Sequence, residues 1–266
     1  MTPFPLAEFL STLPLTLLGI VLLLGVTFAI GVRQRRHAVI DAAWPLGFVV
    51  VAVISFVASA GHGDDARRWL LLALTTIWGV RLSLHLMWRL RGGEEDPRYT
   101  KLLGTKGPEN RNREAIRKAY LPQGAVMFIV SLVQQVGMFA AGPLGWLAWV
   151  GIAVWVIGMF FEVVGDLQLA RFKADPDRSG ILDTGVWAWT RHPNYFGDSA
   201  VWWGLFLVTA SSWPGVLTVL SPLLMTLALR FVTGVPPVER AMAGRPGYEE
   251  YAERTSVFFP LPPRRR

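Results

Sequence analysis

The 266-residue sequence has no cysteine, which excludes disulfides, thiolate metal sites and a Cys nucleophile. Charge is scarce as well: 17% of the residues are Asp, Glu, Lys or Arg, against about 25% in a soluble domain. With 52% hydrophobic residues, this is a membrane composition. A Gly-rich dinucleotide fingerprint and a phosphate loop are missing, and so is a Gly-x-Ser-x-Gly elbow. His37, His62, His85 and His192, the four histidines, show no paired metal-ligand spacing, and no metal site is expected. The net charge of +7 sits in short basic runs between apolar stretches. Those runs read as topology signals, so no nucleic-acid partner is expected. The first basic residue, Arg33, comes too late for the n-region of a signal peptide, so the first apolar stretch is expected to remain as a span.

Seven stretches approach the roughly 20 apolar residues that a spanning helix needs. They cover residues 10–30, 38–59, 69–88, 121–141, 144–164, 195–210 and 214–235, the sixth being short. The expected fold class is an all-α integral membrane protein, a seven-transmembrane helix bundle forming one domain over residues 1–266. Arg33, Arg35 and Arg36 mark the first loop, nine Lys and Arg between Arg89 and Lys118 the third, and Arg171, Lys173, Arg178 and Arg191 the fifth. The tail ends in Arg264, Arg265 and Arg266, while the second loop balances Arg67 and Arg68 against Asp64 and Asp65. The positive-inside rule then puts the N-terminus outside and the C-terminus in the cytoplasm.

On that topology the in-span ionisable residues Asp41, Arg81, His85, Glu162, Asp166, Asp198 and Arg230 all fall on the cytoplasmic side. Charges at membrane depth are costly and face a polar interior or one another, so a polar cavity open to the cytoplasm is expected. Glu162 and Asp166 share a helix face, which Lys173 would continue one heptad on, suiting ribose or amide groups or else a plain salt-bridge ladder. Arg81 and His85 also share a face, where they would serve a site or simply pair with Asp41. Around residues 185–198, Arg191, His192, Asn194 and Asp198 precede an apolar run. Pro193 disfavours helix at His192 and suits a first helical turn, so these side chains would gather at a helix mouth that holds a polar ligand. The tail from Val238 to Tyr251 is amphipathic. Its Arg and Tyr residues would clamp a phosphate and an adenine, or the segment would lie on anionic lipid. Residues beyond Pro260 are expected to be disordered.

Arg191-His192-Pro193-Asn194-Tyr195-Phe196-Gly197 followed by Asp198, with Tyr248 and Phe258-Phe259-Pro260, resembles the steroid 5-alpha-reductase superfamily, and most closely its bacterial DUF1295 branch. Asp41-Ala42-Ala43-Trp44, Trp78-Gly79-Val80-Arg81-Leu82, Arg91 and Asp96-Pro97-Arg98-Tyr99 extend the resemblance over residues 41–260. It implies an enzyme of the bacterial inner membrane that uses NADPH to saturate a carbon–carbon double bond conjugated to a carbonyl in a lipid or steroid-like substrate. The cofactor-binding half would be residues 144–260. The resemblance gives the cofactor to Asn194, Asp166, Lys173, Tyr248 and Asp198, the last standing where the steroid enzymes have Glu. Glu162, where the family has Asn, Arg191, His192 and Tyr195 join that set. Asp41 takes the place of a substrate-holding glutamate, here expected to be buried and protonated with Arg81 or His85 as partner, since helix three lacks the family's tyrosine. The C-terminal half also resembles isoprenylcysteine and phospholipid methyltransferases, which bind S-adenosylmethionine. A membrane methyltransferase of a lipid or isoprenoid acceptor is therefore the alternative.

Overall fold

The computed structural model describes residues 3–92, 94–104, 107–178 and 180–263. Lys106, Arg264, Arg265 and Arg266, which carry part of the topology argument, lie outside them. Among the described residues the chain is all-helical, without strands beyond one isolated bridge between Thr190 and Ser256. Six helices are long and apolar enough to cross a membrane: α1 (Leu6–Gln34), α2 (Val39–Ala58), α3 (Asp65–Arg89), α5 (Pro108–Phe139), α6 (Trp146–Ala174) and α8 (Gly215–Met242). Between them lie α4 (Pro97–Leu103) and α7 (Pro193–Ala210), and α9 (Tyr248–Arg254) follows. The short sixth stretch of the sequence is α7. It is one continuous helix, but Asn194 and Asp198 in its first turns keep it outside the apolar set.

Local chemistry sets two of these helix starts. Asp64 caps α3 by accepting from the Arg67 amide at 2.9 Å, and Asp96 caps α4 at the Arg98 amide, with Pro97 in the first turn. Both follow the preference for Asp at a helix start. Inside α5 the turn Ile116–Tyr120 widens to π-helix just before Pro122. Proline cannot donate to the carbonyl four residues back, and a widened turn absorbs that defect.

Residues of Met1–Trp146 with Val208–Thr218 make one compact unit, and Leu147–Leu207 with Val219–Arg266 make another. In the first unit, α2 lies against α3 so closely that a Cβ on Gly79 would stand 2.9 Å from the Pro45 carbonyl oxygen. Trp78 and Phe48 are fully buried in edge-to-face contact there, and the Ser83 hydroxyl donates to the Ala42 carbonyl. Arg67 belongs to α3 rather than to a solvated loop. It is fully buried and donates to the carbonyls of Ala140, Gly142 and Pro143 and to the Ser211 hydroxyl. A polar thread also runs at membrane depth: Thr16 donates to Gln135 at 2.8 Å, and Gln135 donates to Ser131 at 2.9 Å.

The second unit is built on a glycine seam. Gly151, Gly158 and Gly165 repeat every seven residues along α6, and Gly197 and Gly204 do the same along α7. A Cβ on Gly197 would come within 2.5 Å of the Glu162 amide and the Gly158 carbonyl, and one on Gly204 within 2.7 Å of the Gly151 carbonyl. Higher positions on α7 meet lower positions on α6, so the two helices run antiparallel. Small residues let backbones approach this closely in a membrane, where apolar side chains gain little over lipid.

Candidate functional site

The seam decides where the polar residues of the second unit lie. Gly165 leaves room for Pro193 and for the Asn194 amide, so the first turn of α7 rests on α6. There the Asn194 side-chain amide donates to Asp166 Oδ1 at 3.3 Å, while its own Oδ1 accepts from the Tyr195 amide at 3.1 Å. Glu162, Asp166 and Asp198 are all buried. α6 continues to Ala174, ten residues past the expected end of that span, so Lys173 does sit on the same helix, two turns beyond Asp166. The turn leading into α7 is pinned by Gln168, which accepts from the Val186 amide at 3.1 Å, and by Trp187, which donates to the Gly165 carbonyl at 3.1 Å.

Arg191 and His192 meet one acid. Arg191 Nε and Nη2 donate to the two oxygens of Glu239 at 3.0 and 2.9 Å, and its Nη1 donates to the carbonyls of Ala252 and Thr255, both at 2.8 Å. His192 Nε2 bonds Glu239 Oε1 at 2.7 Å, and its ring stacks on Tyr195. Burial would weaken the Arg191 charge, but the Glu239 hydrogen bonds outweigh it and hold the guanidinium firmly charged. Tyr248 and Tyr251 are buried, and the Tyr251 hydroxyl donates to the Trp187 carbonyl at 2.7 Å. Burial, then the adjoining Glu239 carboxylate, push the Tyr248 phenol up to about 12. The tail thus folds onto the turn before α7, with Tyr248 buried and edge-on to Tyr251. No local spacing marks Glu239, which stands 47 and 48 residues from its partners.

The first unit holds a second cluster. Asp41, in the first turn of α2, accepts from the Tyr99 hydroxyl at 2.5 Å and from Arg98 Nη2 at 2.8 Å. Gln123 in turn donates to the Tyr99 oxygen at 3.3 Å. Asp41 thus stands beside Arg98 and Tyr99 and is half-buried, which corrects the expectation of a fully buried side chain. Its partners come from α4, 57 and 58 residues away. Burial and the charge of Asp41 push the Tyr99 phenol well above its ordinary range. Burial works against the Asp96 charge, but Arg98, bonded to it at side chain and backbone, holds that carboxyl below the usual range. Glu95 locks the cluster to the helix: it accepts from the His37 and Ala38 amides at the start of α2 and from Arg111, at 2.8, 2.9 and 2.8 Å. Arg81 and His85 lie half-buried one turn apart on α3, with His85 against Trp88. A tyrosine is thus present beside Asp41, supplied by α4 rather than by helix three.

For a dinucleotide, the chemistry of the second unit's side chains fits. Carboxylates and an amide accept from sugar hydroxyls and a carboxamide, and Lys173 and Arg171, exposed at the end of α6, suit phosphate. The fold defines an all-helical integral membrane protein with polar side chains clustered at the ends of its spans. The chain belongs to the family described as a protein of unknown function, DUF1295, whose model matches residues 27–255. An uncharacterized protein of Schizosaccharomyces pombe is 22% identical across 88% of this chain and 76% of its own length. The steroid 5-alpha-reductase DET2 of Arabidopsis thaliana is 31% identical over 75 residues, 27% of this chain and 28% of that protein. No solved structure matches.

Proposed function

We propose that the protein is a membrane-embedded, NADPH-dependent reductase that saturates a carbon–carbon double bond conjugated to a carbonyl in a lipid or steroid-like substrate. The observation that supports this best is the Tyr99–Asp41 contact, in a chain that shares a stretch with a steroid 5-alpha-reductase. Saturating an enone builds negative charge on the carbonyl oxygen, and a fixed donor there lowers the barrier. Tyr99 keeps its proton at any physiological pH; that single proton, held by Asp41 without substrate, turns to the carbonyl oxygen when substrate binds, and Arg98 keeps Asp41 paired. Arg81 and His85 are further polarising groups on this reading.

NADPH, when bound, supplies the hydride. Asn194, Glu162, Asp166 and Asp198 take its sugar and amide groups on this reading, with Tyr195 beside them and Lys173 for phosphate. Arg191, His192 and Tyr248 act through the turn they brace rather than by touching the ligand. The cofactor residues face the cytoplasm, and the substrate enters from the bilayer.

The test is thermal stability of the purified protein with NADPH, NADH or S-adenosylmethionine, wild type beside Asn194→Ala. A ligand at 100 times its dissociation constant adds about 2.7 kcal/mol. NADPH should stabilise the wild type and not the variant. Stabilisation by S-adenosylmethionine alone would make the protein a methyltransferase and end the reductase reading.

A further inference from the structure

The C-terminal stretch past α9 has a backbone unusual for an exposed tail. Pro260, Pro262 and Pro263 carry no N–H, and the Leu261 amide donates to the Trp189 carbonyl at 3.0 Å. Every backbone donor from 260 to 263 is therefore absent or satisfied. Hydrocarbon punishes unsatisfied backbone groups above all else, so with no donor left to satisfy, and carbonyls that headgroup water can reach, this stretch suits the surface of a bilayer.

Its side chains suit one. Phe259 is 64% exposed, Leu261 57% and the adjoining Trp189 47%. Phe259 packs on Phe196 of α7, Phe196 on Phe161, and Phe161 on Phe160. Phe160 is itself exposed on the membrane-spanning α6. The lipid-facing surface of a span thus runs through an aromatic chain into residue 259. Arg264, Arg265 and Arg266 follow in the sequence, a cationic cluster of the kind drawn to anionic headgroups.

We infer that residues 259–263, with Trp189, form an anchor seated at the surface of a bilayer, with anionic lipid as its partner through the three arginines. The anchor bears on the turn before α7. Besides the Leu261 bond, Thr190 Oγ1 donates to the Phe258 carbonyl at 2.9 Å and the Arg191 amide donates to the Ser256 carbonyl at 2.8 Å. Lipid charge would thereby reach the residues that position Asn194, whatever ligand that turn serves.

The absence of native cysteine allows a direct test. Nitroxide labels at Leu261→Cys or Phe259→Cys are read in nanodiscs of phosphatidylcholine, with or without phosphatidylglycerol, by collision with oxygen and with a water-soluble nickel chelate. Leu22→Cys on the exposed face of α1 and Glu253→Cys on the exposed face of α9 serve as lipid and water standards. With phosphatidylglycerol, both labels should read close to Leu22, with oxygen collisions exceeding nickel collisions. Replacing Arg264, Arg265 and Arg266 by Gln should move them toward Glu253. Readings like Glu253 in both membranes would overturn the anchor, including the case in which a second copy covers the patch. Immersion unaffected by lipid charge or by the Gln variant would overturn its lipid specificity.

Discussion

Arg98 and Arg191 each stand beside carboxylates, yet they are spent differently. Arg191, its side chain 13% exposed, is bound at every nitrogen: both oxygens of Glu239 and two backbone carbonyls take four of its donors. Arg98, 51% exposed, is divided between Asp41 and Asp96 and keeps half its surface in solvent. A cation with every nitrogen bound to its own chain is a joint between segments. One shared between two acids beside a buried phenol has capacity left for a ligand. Both arginines stand in motifs carried by the family resemblance, so the motif alone does not separate the roles.

The largest way to break that contrast is Glu239→Ala. Removing one partner of a mostly buried ion pair leaves the other charge uncompensated and costs about 3 kcal/mol. Denaturant or thermal unfolding in detergent should show this loss. Arg191→Ala should show a similar one, and the double variant less than the sum, because the two groups act as a unit. An additive double variant would mean that the joint is not one.

Tyr99→Phe should be milder for the fold and harsher for activity. A hydrogen bond to a charged group is worth about 1.5 kcal/mol, whereas loss of a donor to developing charge costs about 100-fold or more in rate. Reduction of a responsive enone lipid would fall with the melting temperature little changed. If rate and stability instead fell together, Tyr99 would be a structural group like Arg191.

The smallest effect is pH dependence at Asp96. Its carboxyl is held below its ordinary value by Arg98, so it contributes stability that is complete above the unfolded value of about 4. That contribution is lost as pH falls through the lower, folded value. The protection of α4 amides against hydrogen exchange, taken relative to the intrinsic rate at each pH, should therefore fall in acid, and Asp96→Asn should remove that part of the response while leaving α9 unchanged.

The helices were legible because apolar length is a local property. Pro193 and Asp96-Pro97 likewise announce helix starts through their own stereochemistry. The spacing of Glu162, Asp166 and Lys173 was also readable, since only persistence of α6 had to be assumed. Less was visible for Tyr248, which matches a cofactor-side tyrosine in the resemblance but is turned inward by the fold of α9 over the 185–191 turn. Of the stretch past Pro260, where disorder was expected, residues 261–263 are described, and there the Leu261 amide donates a hydrogen bond to the Trp189 carbonyl, a tie that no local spacing encodes. The glycines at heptad spacing were in plain sight. A glycine in a helix, however, marks either weakness or close approach, and only its neighbours decide which.

From the sequence by itself came a membrane protein, its apolar helices and the family resemblance, all carried by composition and short-range pattern. The tertiary structure alone decided which charges are joints and which remain open. It paired Asp41 with Tyr99 and Arg98, and Arg191 and His192 with Glu239, across 47 to 58 residues of chain. Such partners are chosen by which surfaces come into contact when helices pack, and no local spacing encodes that.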